Sequence, residues 1–327
     1  MSSLVFRQYR AQALAAIGLL AAFAALMVVT GLQMAGQWHS ALVTCAALRS
    51  CDNLSSTLFL GNHAVGFLVI MTLGVPLVLG ILCGAPLVAH EFETGTNQFA
   101  WTQTITRRRW LAVKAGWLLL AAAAVGGTVS GLVTWWSGPN NALQGNAFNT
   151  GRFDIMGVVP VGFAVFAMAL GILAGTLLRR TVPAVGLTIA GFIAVRLAVT
   201  EWLRPHYLTA VTHVYGLTQN WAPSRTAWQF AQGIITPDGR RLFPADGADI
   251  SGNVQVSMVP AACHHLLSQT NPGPVLSCMQ SAGFRQFVSY QPANRYWAFQ
   301  GIETGIFVAL AVALLAITFA LVRRRDA

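Results

Sequence analysis

The residues best suited to chemistry occupy one polar segment between two apolar runs, residues 90–110. It holds two carboxylates, a Gly-Thr break, aromatic side chains and three consecutive arginines: Glu91, Glu93, Gly95, Thr96, Phe99, Trp101 and Arg107–Arg109. Carboxylates and guanidinium groups make directional, charge-assisted hydrogen bonds, and aromatic rings add apolar contact area. The pattern therefore predicts that the segment docks a soluble protein partner. The arginines also have a simpler interpretation, in which they anchor the next apolar run to anionic lipid headgroups.

Other clusters of reactive residue types lack the spacing that metal binding or catalysis needs. Cys263-His264-His265 has neither the HExxH nor the CxxC spacing of metal sites, and His90-Glu91 has no second histidine four residues on. The only lysine, Lys114, follows Ala-Val rather than glycine, which excludes a phosphate-binding loop of the form GxxxxGKS or GxxxxGKT. We therefore predict no catalytic residue, no metal site and no ATPase within this chain.

Among the charged residues inside the long apolar runs, Arg196 and Glu303 lie farthest from the ends of their runs. A charge in the membrane interior is costly, so each is a candidate functional residue. The two should lie at similar depth, facing protein or a polar cavity, with each other as one candidate partner. In the alternative interpretation, each side chain extends separately to the membrane surface.

Apolar residues dominate the composition of the chain. The chain has 327 residues, of which 55% are hydrophobic and 9% charged, and its mean hydropathy is +0.59. Soluble domains carry roughly 25% charged residues, which argues against a soluble enzyme. The net charge of +10 comes from arginines beside the apolar runs, which is typical of membrane orientation signals rather than of nucleic-acid binding.

Six runs are long enough to cross a bilayer, which needs roughly 20 apolar residues of helix. They are residues 13–35, 63–89, 111–136, 155–178, 182–203 and 297–322. The sequence therefore predicts an all-α integral membrane protein with six transmembrane helices. Most loop arginines fall on one side, which should be cytoplasmic and should hold both termini. These are Arg7, Arg10, Arg107–Arg109, Arg179, Arg180 and Arg323–Arg325, against Arg49 and Arg152 on the other side.

This topology divides the chain into three parts. Residues 1–203 would hold the first five spans with the cytoplasmic loop 89–110, and residues 297–327 the last span with a basic tail. Residues 204–296 would form a small extracytoplasmic domain, and their many prolines and glycines predict turns with short helices.

The cysteines fit the same topology. Cys45 and Cys51 share the first outer loop, and Cys263 and Cys278 share the last. Thiols in an oxidising compartment tend to pair, so we predict two local disulfides. Free thiols or another pairing are the alternatives.

Three stretches resemble a known family: Ala-Pro-Leu-Val-Ala at 85–89, Glu-Phe-Glu-Thr-Gly-Thr at 91–96 and Ala-Trp-Thr-Gln-Thr-Ile-Thr-Arg-Arg-Arg-Trp-Leu-Ala-Val-Lys at 100–114. They are similar to the permease subunits of bacterial type-2 ATP-binding-cassette exporters with the G-subfamily-like (type V) six-span fold. The resemblance implies a multi-pass protein of the plasma membrane, surrounded by lipid. It would pair with a second permease, identical or closely related, and with two cytoplasmic ATPase subunits that bind ATP and Mg²⁺. The loop after the second span would be the coupling segment, with residues Glu91, Phe92, Glu93, Gly95, Thr96, Arg107, Arg108 and Arg109.

The resemblance also implies a translocation pathway lined by the second and fifth spans. The candidate lining residues are Phe67, Ile70, Met71, Ile193, Arg196 and Glu303. An apolar wall would suit a hydrophobic or amphipathic substrate such as a drug, peptide or lipid. Two other functions stay open: a membrane sensor coupled to an ATPase, and an enzyme that modifies lipid headgroups with His206, His213, His264 or His265.

Overall fold

The structure is a computed structural model. It describes residues 18, 21–33, 35–36, 39–40, 43, 63–93, 107–137, 148, 150–219, 221–224, 226–243, 259–267 and 271–324. These residues form two compact units. The helical unit takes in the described residues up to 137, Thr150–Tyr207 and those from Trp297 onward, and the sheet unit takes in Phe148 and those of Leu208–Tyr296.

Helices make up the helical unit, and most of them are long and apolar. Their bounds are α1 Ala21–Gln33, α2 His63–Leu79, α3 Ala85–Glu93, α4 Arg107–Trp136, α5 Thr150–Phe153, α6 Val159–Leu178, α7 Thr181–Ala198 and, after the sheet unit, α9 Tyr296–Arg324. A π-helical segment, Gly80–Gly84, joins α2 to α3 without a break. A second one, Val199–Leu203, extends α7 into a short 3₁₀ turn, Arg204–His206.

Five stretches are long and apolar enough to cross a membrane: Val69–His90, Arg109–Trp136, Val159–Leu178, Thr181–His206 and Ala293–Arg323. They correspond to the last five predicted spans. Within the first predicted span, the described residues contain the shorter apolar helix α1. The fourth span begins at Val159 rather than at 155, because residues 154–158 form a turn.

Helix α6 lies at the centre of the helical unit. Its apolar window is 72% buried, against 28% or less for the other four spans. It packs against α2, α3, α4 and α7. Because lipid is as apolar as a helix surface, such packing depends on close van der Waals fit rather than on hydrophobic burial.

Glycines allow α6 to approach the second span backbone to backbone. A Cβ added to Gly171 would lie 2.5 Å from the carbonyl oxygen of Gly80 and 2.8 Å from the amide nitrogen of Ala85. A Cβ on Gly80 would lie 2.6 Å from the carbonyl oxygen of Ala167. Small residues one helical turn apart on both helices therefore create a contact that any larger side chain would disrupt.

The sheet unit contains strands that the all-α prediction did not include. The strands β1 Val211–Tyr215, β2 Trp228–Ile235, β3 Arg241–Leu242 and β4 Arg285–Gln291 form an antiparallel sheet of order β1-β4-β2-β3. β-branched and aromatic residues in these segments favour strands, and prolines fall between them. The β2–β3 turn uses Gly239 at a φ of 83°, which glycine adopts without strain.

A disulfide ties the sheet unit's helical layer together. Cys263, in the 3₁₀ segment Ala261–Leu266, is bonded to Cys278 in helix α8, Gly273–Ser281. This predicted bond is present, and Cys263 lies in an apolar core with Ile234 and Met279. The other predicted pair, Cys45 and Cys51, lies outside the described residues.

The close contact at Gly171 predicts that alanine has different effects on stability at Gly171 and at Gly116. Gly171→Ala should lower the free energy of unfolding by about 1 to 3 kcal/mol, because the added methyl group meets backbone atoms. Gly116→Ala in α4 should be neutral or stabilise by up to about 1 kcal/mol, because a Cβ there meets nothing within 4 Å. Thermal unfolding of the two purified variants in the same detergent measures the difference. Equal melting temperatures would contradict the close approach.

Candidate functional site

The helical unit contains a connected group of four ionisable side chains, Asp154, Arg196, Arg204 and Glu303, here called the ion cluster. Arg204 donates from Nε to Glu303 Oε2 at 2.8 Å and from Nη2 to Glu303 Oε1 at 2.6 Å. The same Nη2 donates to Asp154 Oδ1. Arg196 donates from Nη2 to Asp154 Oδ2 at 2.7 Å. The cluster thus links α7, α9 and the turn that precedes α6.

The ion cluster is deeply buried and electrically neutral. The exposed fractions of the side chains are 0% for Glu303, 2% for Arg204, 3% for Asp154 and 19% for Arg196. A buried ion costs several kcal/mol unless a partner compensates it. Two cations and two anions supply that compensation, and Arg196 is the member that reaches the surface.

The π-helical segment of α7 explains how both arginines reach one carboxylate. Arg196 and Arg204 are eight residues apart, which in a regular helix turns their side chains about 80° away from each other. A π-helical turn accommodates one extra residue, so the pair behaves as if seven residues apart, within about 20° of one face. Val199–Leu203 therefore aligns the two guanidinium groups with the two oxygens of Asp154.

Gln300 satisfies the buried backbone around Asp154. Its Oε1 accepts hydrogen bonds from the amides of Val158 and Val159, at 2.9 and 3.0 Å. Its Nε2 donates to the carbonyl of Phe153 at 3.0 Å. The first amides of a helix have no partner within the helix, and a buried one requires such a substitute. Gln300 thus caps α6 and holds the turn that presents Asp154.

Aromatic rings and a small cavity border the ion cluster. The Arg204 guanidinium lies 4.4 Å from the ring centre of Phe153, and that of Arg196 lies 5.0 Å from Phe163. A cavity of about 10 Å³ beside Asp154 has room for roughly one water molecule. Its lining residues are Thr72, Leu73, Val75, Pro76, Gly126, Val129, Asp154, Pro160 and Phe163.

Arg196 and Glu303 belong to the same cluster but do not contact each other. Each pairs instead with a residue that the sequence interpretation did not single out, Asp154 or Arg204. Asp154 precedes the predicted fourth span by one residue, and Arg204 follows the predicted fifth span by one residue. The sequence does place a charged residue directly next to the start of the fourth predicted span and the end of the fifth. Both residues lie just outside the spans, where a charge is not unusual.

Tyr207 is a further member that the sequence interpretation missed. Its hydroxyl group donates to Glu303 Oε2 at 3.3 Å. Burial raises the pKa of this hydroxyl, and the nearby Glu303 carboxylate raises it further. Tyr207 therefore stays a neutral donor over the whole physiological pH range.

The other pathway candidates are apolar, and those whose side chains the structure describes are exposed. Ile70, Met71 and Ile193 are exposed by 63%, 44% and 46%. Phe67 lies in α2, and its side chain is outside the described part of the structure. Glu303, by contrast, is fully buried within the ion cluster.

The predicted coupling residues lie at the ends of two helices. Glu91 and Phe92 belong to the last turn of α3, and Arg107 and Arg108 begin α4, but their side chains are outside the described structure. Arg109 is exposed. Gly95 and Thr96 lie outside the described residues.

Glu93, the last residue of α3, contacts Thr181. Its carboxylate accepts hydrogen bonds from the Thr181 amide at 2.8 Å and from the Thr181 hydroxyl at 2.7 Å. These two bonds lower the pKa of the Glu93 carboxyl group. Thr181 is thus a partner that the sequence interpretation missed, since the two residues are 88 positions apart.

The described residues contain no group of three or more histidine, cysteine, aspartate or glutamate side chains that could hold a metal ion. His264 makes a hydrogen bond of 2.9 Å with the carbonyl of Val259, and its neighbour Cys263 is in a disulfide.

Charge balance within the ion cluster makes a testable prediction. Arg204→Met leaves two carboxylates with one arginine, and Glu303→Leu leaves two arginines with one carboxylate. Each should lower the free energy of unfolding by about 3 to 5 kcal/mol, because an uncompensated charge stays buried. The double variant keeps the neutral Asp154–Arg196 pair, so it should be more stable than either single variant. Thermal unfolding in detergent measures all three, and purely additive losses would contradict the proposed balance.

Comparison with known proteins identifies a family for the membrane part of the chain. The model of the family described as "ABC-2 membrane transporter related" matches residues 17–204, which is more than half of the 327 residues. No curated protein and no solved structure matches the chain. The match extends from the first apolar helix to Arg204, and so includes α2 to α7. The chain belongs to the ABC-2 membrane transporter-related family.

Proposed function

We propose that this protein is the membrane-spanning subunit of an ATP-driven exporter with a type V fold, in a bacterial plasma membrane. The family match over residues 17–204, together with five helices able to cross a membrane, carries the proposal. The single lysine of the sequence is not in a phosphate-binding loop. ATP and Mg²⁺ would therefore be bound by a separate subunit, present in two copies beside a dimer of permeases.

In this proposal, α1 belongs to a sixth span and both termini are cytoplasmic. The arginines of the short loops support the orientation. The sheet unit would then lie outside the cell, where the Cys263–Cys278 disulfide is chemically stable.

The proposed pathway runs along exposed apolar faces of the second and fifth spans. Ile70 and Met71 on α2 and Ile193 on α7 present large apolar side chains at the surface of the helical unit. In a dimer, such faces can line a cavity between the two permeases. A cavity of this composition would select hydrophobic or amphipathic molecules.

The segment between α3 and α4 is the proposed docking site for the ATPase. It is bounded by Glu93 and Arg107, and both bounding helices continue into spans. A partner that moves this segment would therefore pull directly on two transmembrane helices. Glu91 supplies a carboxylate next to the segment, suited to an arginine or lysine of the partner.

Association with an ATPase tests the proposed function. The wild-type permease, purified from its native membrane into lipid nanodiscs, should retain an ABC-type ATPase whose ATP hydrolysis is sensitive to vanadate. Glu91→Ala should weaken that association roughly tenfold or more, because a charged hydrogen bond contributes about 1.5 to 3 kcal/mol.

Glu201→Ala is the matched control, since Glu201 is an exposed carboxylate at the far end of the fifth span. It should bind the ATPase as the wild type does. A wild-type permease without any bound ATPase would overturn the proposal. Association without ATP-dependent flux into vesicles would favour a sensor instead.

A further inference from the structure

Arg196 is the least engaged member of the ion cluster. Its Nη2 donates to Asp154 Oδ2 at 2.7 Å, and its guanidinium group makes no other hydrogen bond with the described residues. Asp154 also accepts from Arg204, so its negative charge is shared between two guanidinium groups. An arginine side chain carries a fork of several N–H donors. Most donors of Arg196 are therefore available to another molecule.

The available donors lie at the surface of the helical unit. The Arg196 side chain reaches that surface, whereas the side chains of Asp154 and Glu303 are buried. The ion cluster is neutral as a whole, but the member that it presents at the surface is a cation. A ligand that approaches the cluster from outside therefore meets positive charge first.

The position of Arg196 along its helix makes open donors unfavourable. Arg196 lies ten residues before the end of Thr181–His206, a stretch long and apolar enough to cross a membrane. This places it about 15 Å along the helix from that end. Hydrocarbon offers no acceptors for N–H groups. We therefore expect an acceptor from outside the described residues to occupy the site.

The surroundings of Arg196 are apolar. Ile193 and Leu197, which precede and follow it on α7, present large exposed side chains. The ring centre of the buried Phe163 lies 5.0 Å from the guanidinium carbon. The site thus combines one cationic donor group with an apolar surface, which fits a molecule that has an anionic end and an apolar body.

We propose that Arg196 binds the carboxylate or phosphate group of an amphipathic molecule whose apolar part packs against Ile193 and Leu197. Oxygens of these groups match the planar guanidinium fork and accept parallel hydrogen bonds from it. The molecule is an anionic lipid of the bilayer or a diffusible amphiphile. That a diffusible amphiphile is the exported substrate rests on the proposed function, whereas the binding site itself does not.

Binding of tritiated oleate to the permease in phosphatidylcholine nanodiscs tests the site. Tritiated oleyl alcohol is the uncharged comparison, and empty nanodiscs give the amount of each compound dissolved in the bilayer. The wild type should bind oleate roughly tenfold or more tightly than the alcohol, because a charge-assisted hydrogen bond distinguishes the two. The measurement uses the permease alone, so it does not depend on whether an ATPase copurifies.

Substitutions within the ion cluster should change the preference for oleate in opposite directions. Arg196→Met should abolish it, because the donors are lost. Asp154→Asn should strengthen oleate binding, because it releases Arg196 from its carboxylate and leaves the cluster with a net positive charge. The double variant Arg196→Met/Asp154→Asn keeps the neutral Arg204–Glu303 pair, so it tests the loss of the donors without a charge imbalance.

Glu201→Gln is the matched control, since Glu201 is an exposed carboxylate five residues farther along the same helix. Removal of its negative charge should leave oleate binding unchanged or strengthen it. The proposal is overturned if the wild type binds oleate and the alcohol equally. It is also overturned if the double variant keeps the wild-type preference, since Arg196 would then serve only to balance Asp154.

Nanodiscs of phosphatidylglycerol distinguish the two sources of the anionic group. Oleate binding is again expressed relative to the oleate dissolved in the bilayer. If an anionic lipid is the natural occupant, phosphatidylglycerol should displace oleate from the wild type. If a diffusible amphiphile is the occupant, oleate binding should equal that in phosphatidylcholine.

Discussion

The neutral ion cluster is the interaction on which the arrangement of the helical unit depends. It joins the turn before α6, the end of the fifth span and α9, three segments that are far apart in sequence. Because each buried ion requires a partner of opposite charge, moving any one of the four side chains out of the cluster leaves another buried charge unpaired. Gln300, one turn before Glu303 on α9, extends the same network to the backbone of the turn. A single face of α9 therefore determines where α6 begins and where the fifth span ends.

A second set of contacts holds α3, α6 and α7 together. At Gly80, Gly171 and Ala85 the backbones of α6 and the second span approach without intervening side chains. This contact, the buried residues Ala85, Ala174 and Ala184, and the Glu93–Thr181 bonds join α3, α6 and α7 at one end. The ion cluster joins α7 to α9 farther along. Helix α7 thus participates in both attachments.

Local sequence patterns predicted the elements of the fold better than they predicted the contacts. Apolar length located five spans, and two cysteines in one loop predicted the Cys263–Cys278 bond, because both features depend on nearby residues. The sequence prediction lacks the sheet because the prolines and glycines of residues 204–296 indicate turns more strongly than short alternating segments such as Val211–Tyr215 indicate strands. The short amphipathic strands carry a weak signal, and their pairing joins residues far apart in the chain.

The candidate site was predicted in part, for a geometric reason. Arg196 and Glu303 were recognised because a charge within an apolar run is conspicuous. Their pairing with Asp154 and Arg204 requires the π-helical segment Val199–Leu203, which brings Arg204 onto the same helix face as Arg196. No residue pattern in the sequence predicts that segment. The position of Glu93 within the polar segment predicts a coupling role, whereas its bond to Thr181 arises only when α3 and α7 meet.

The Arg196–Asp154 and Arg204–Glu303 contacts make the ion cluster two complete ion pairs. Infrared difference spectroscopy of the purified protein at neutral pH tests it, by comparing the wild type with Glu303→Gln and with Asp154→Asn. We expect each substitution to remove carboxylate stretching bands and no carbonyl band of a protonated carboxyl group. A protonated-carboxyl band in the wild type that disappears in either variant would contradict it.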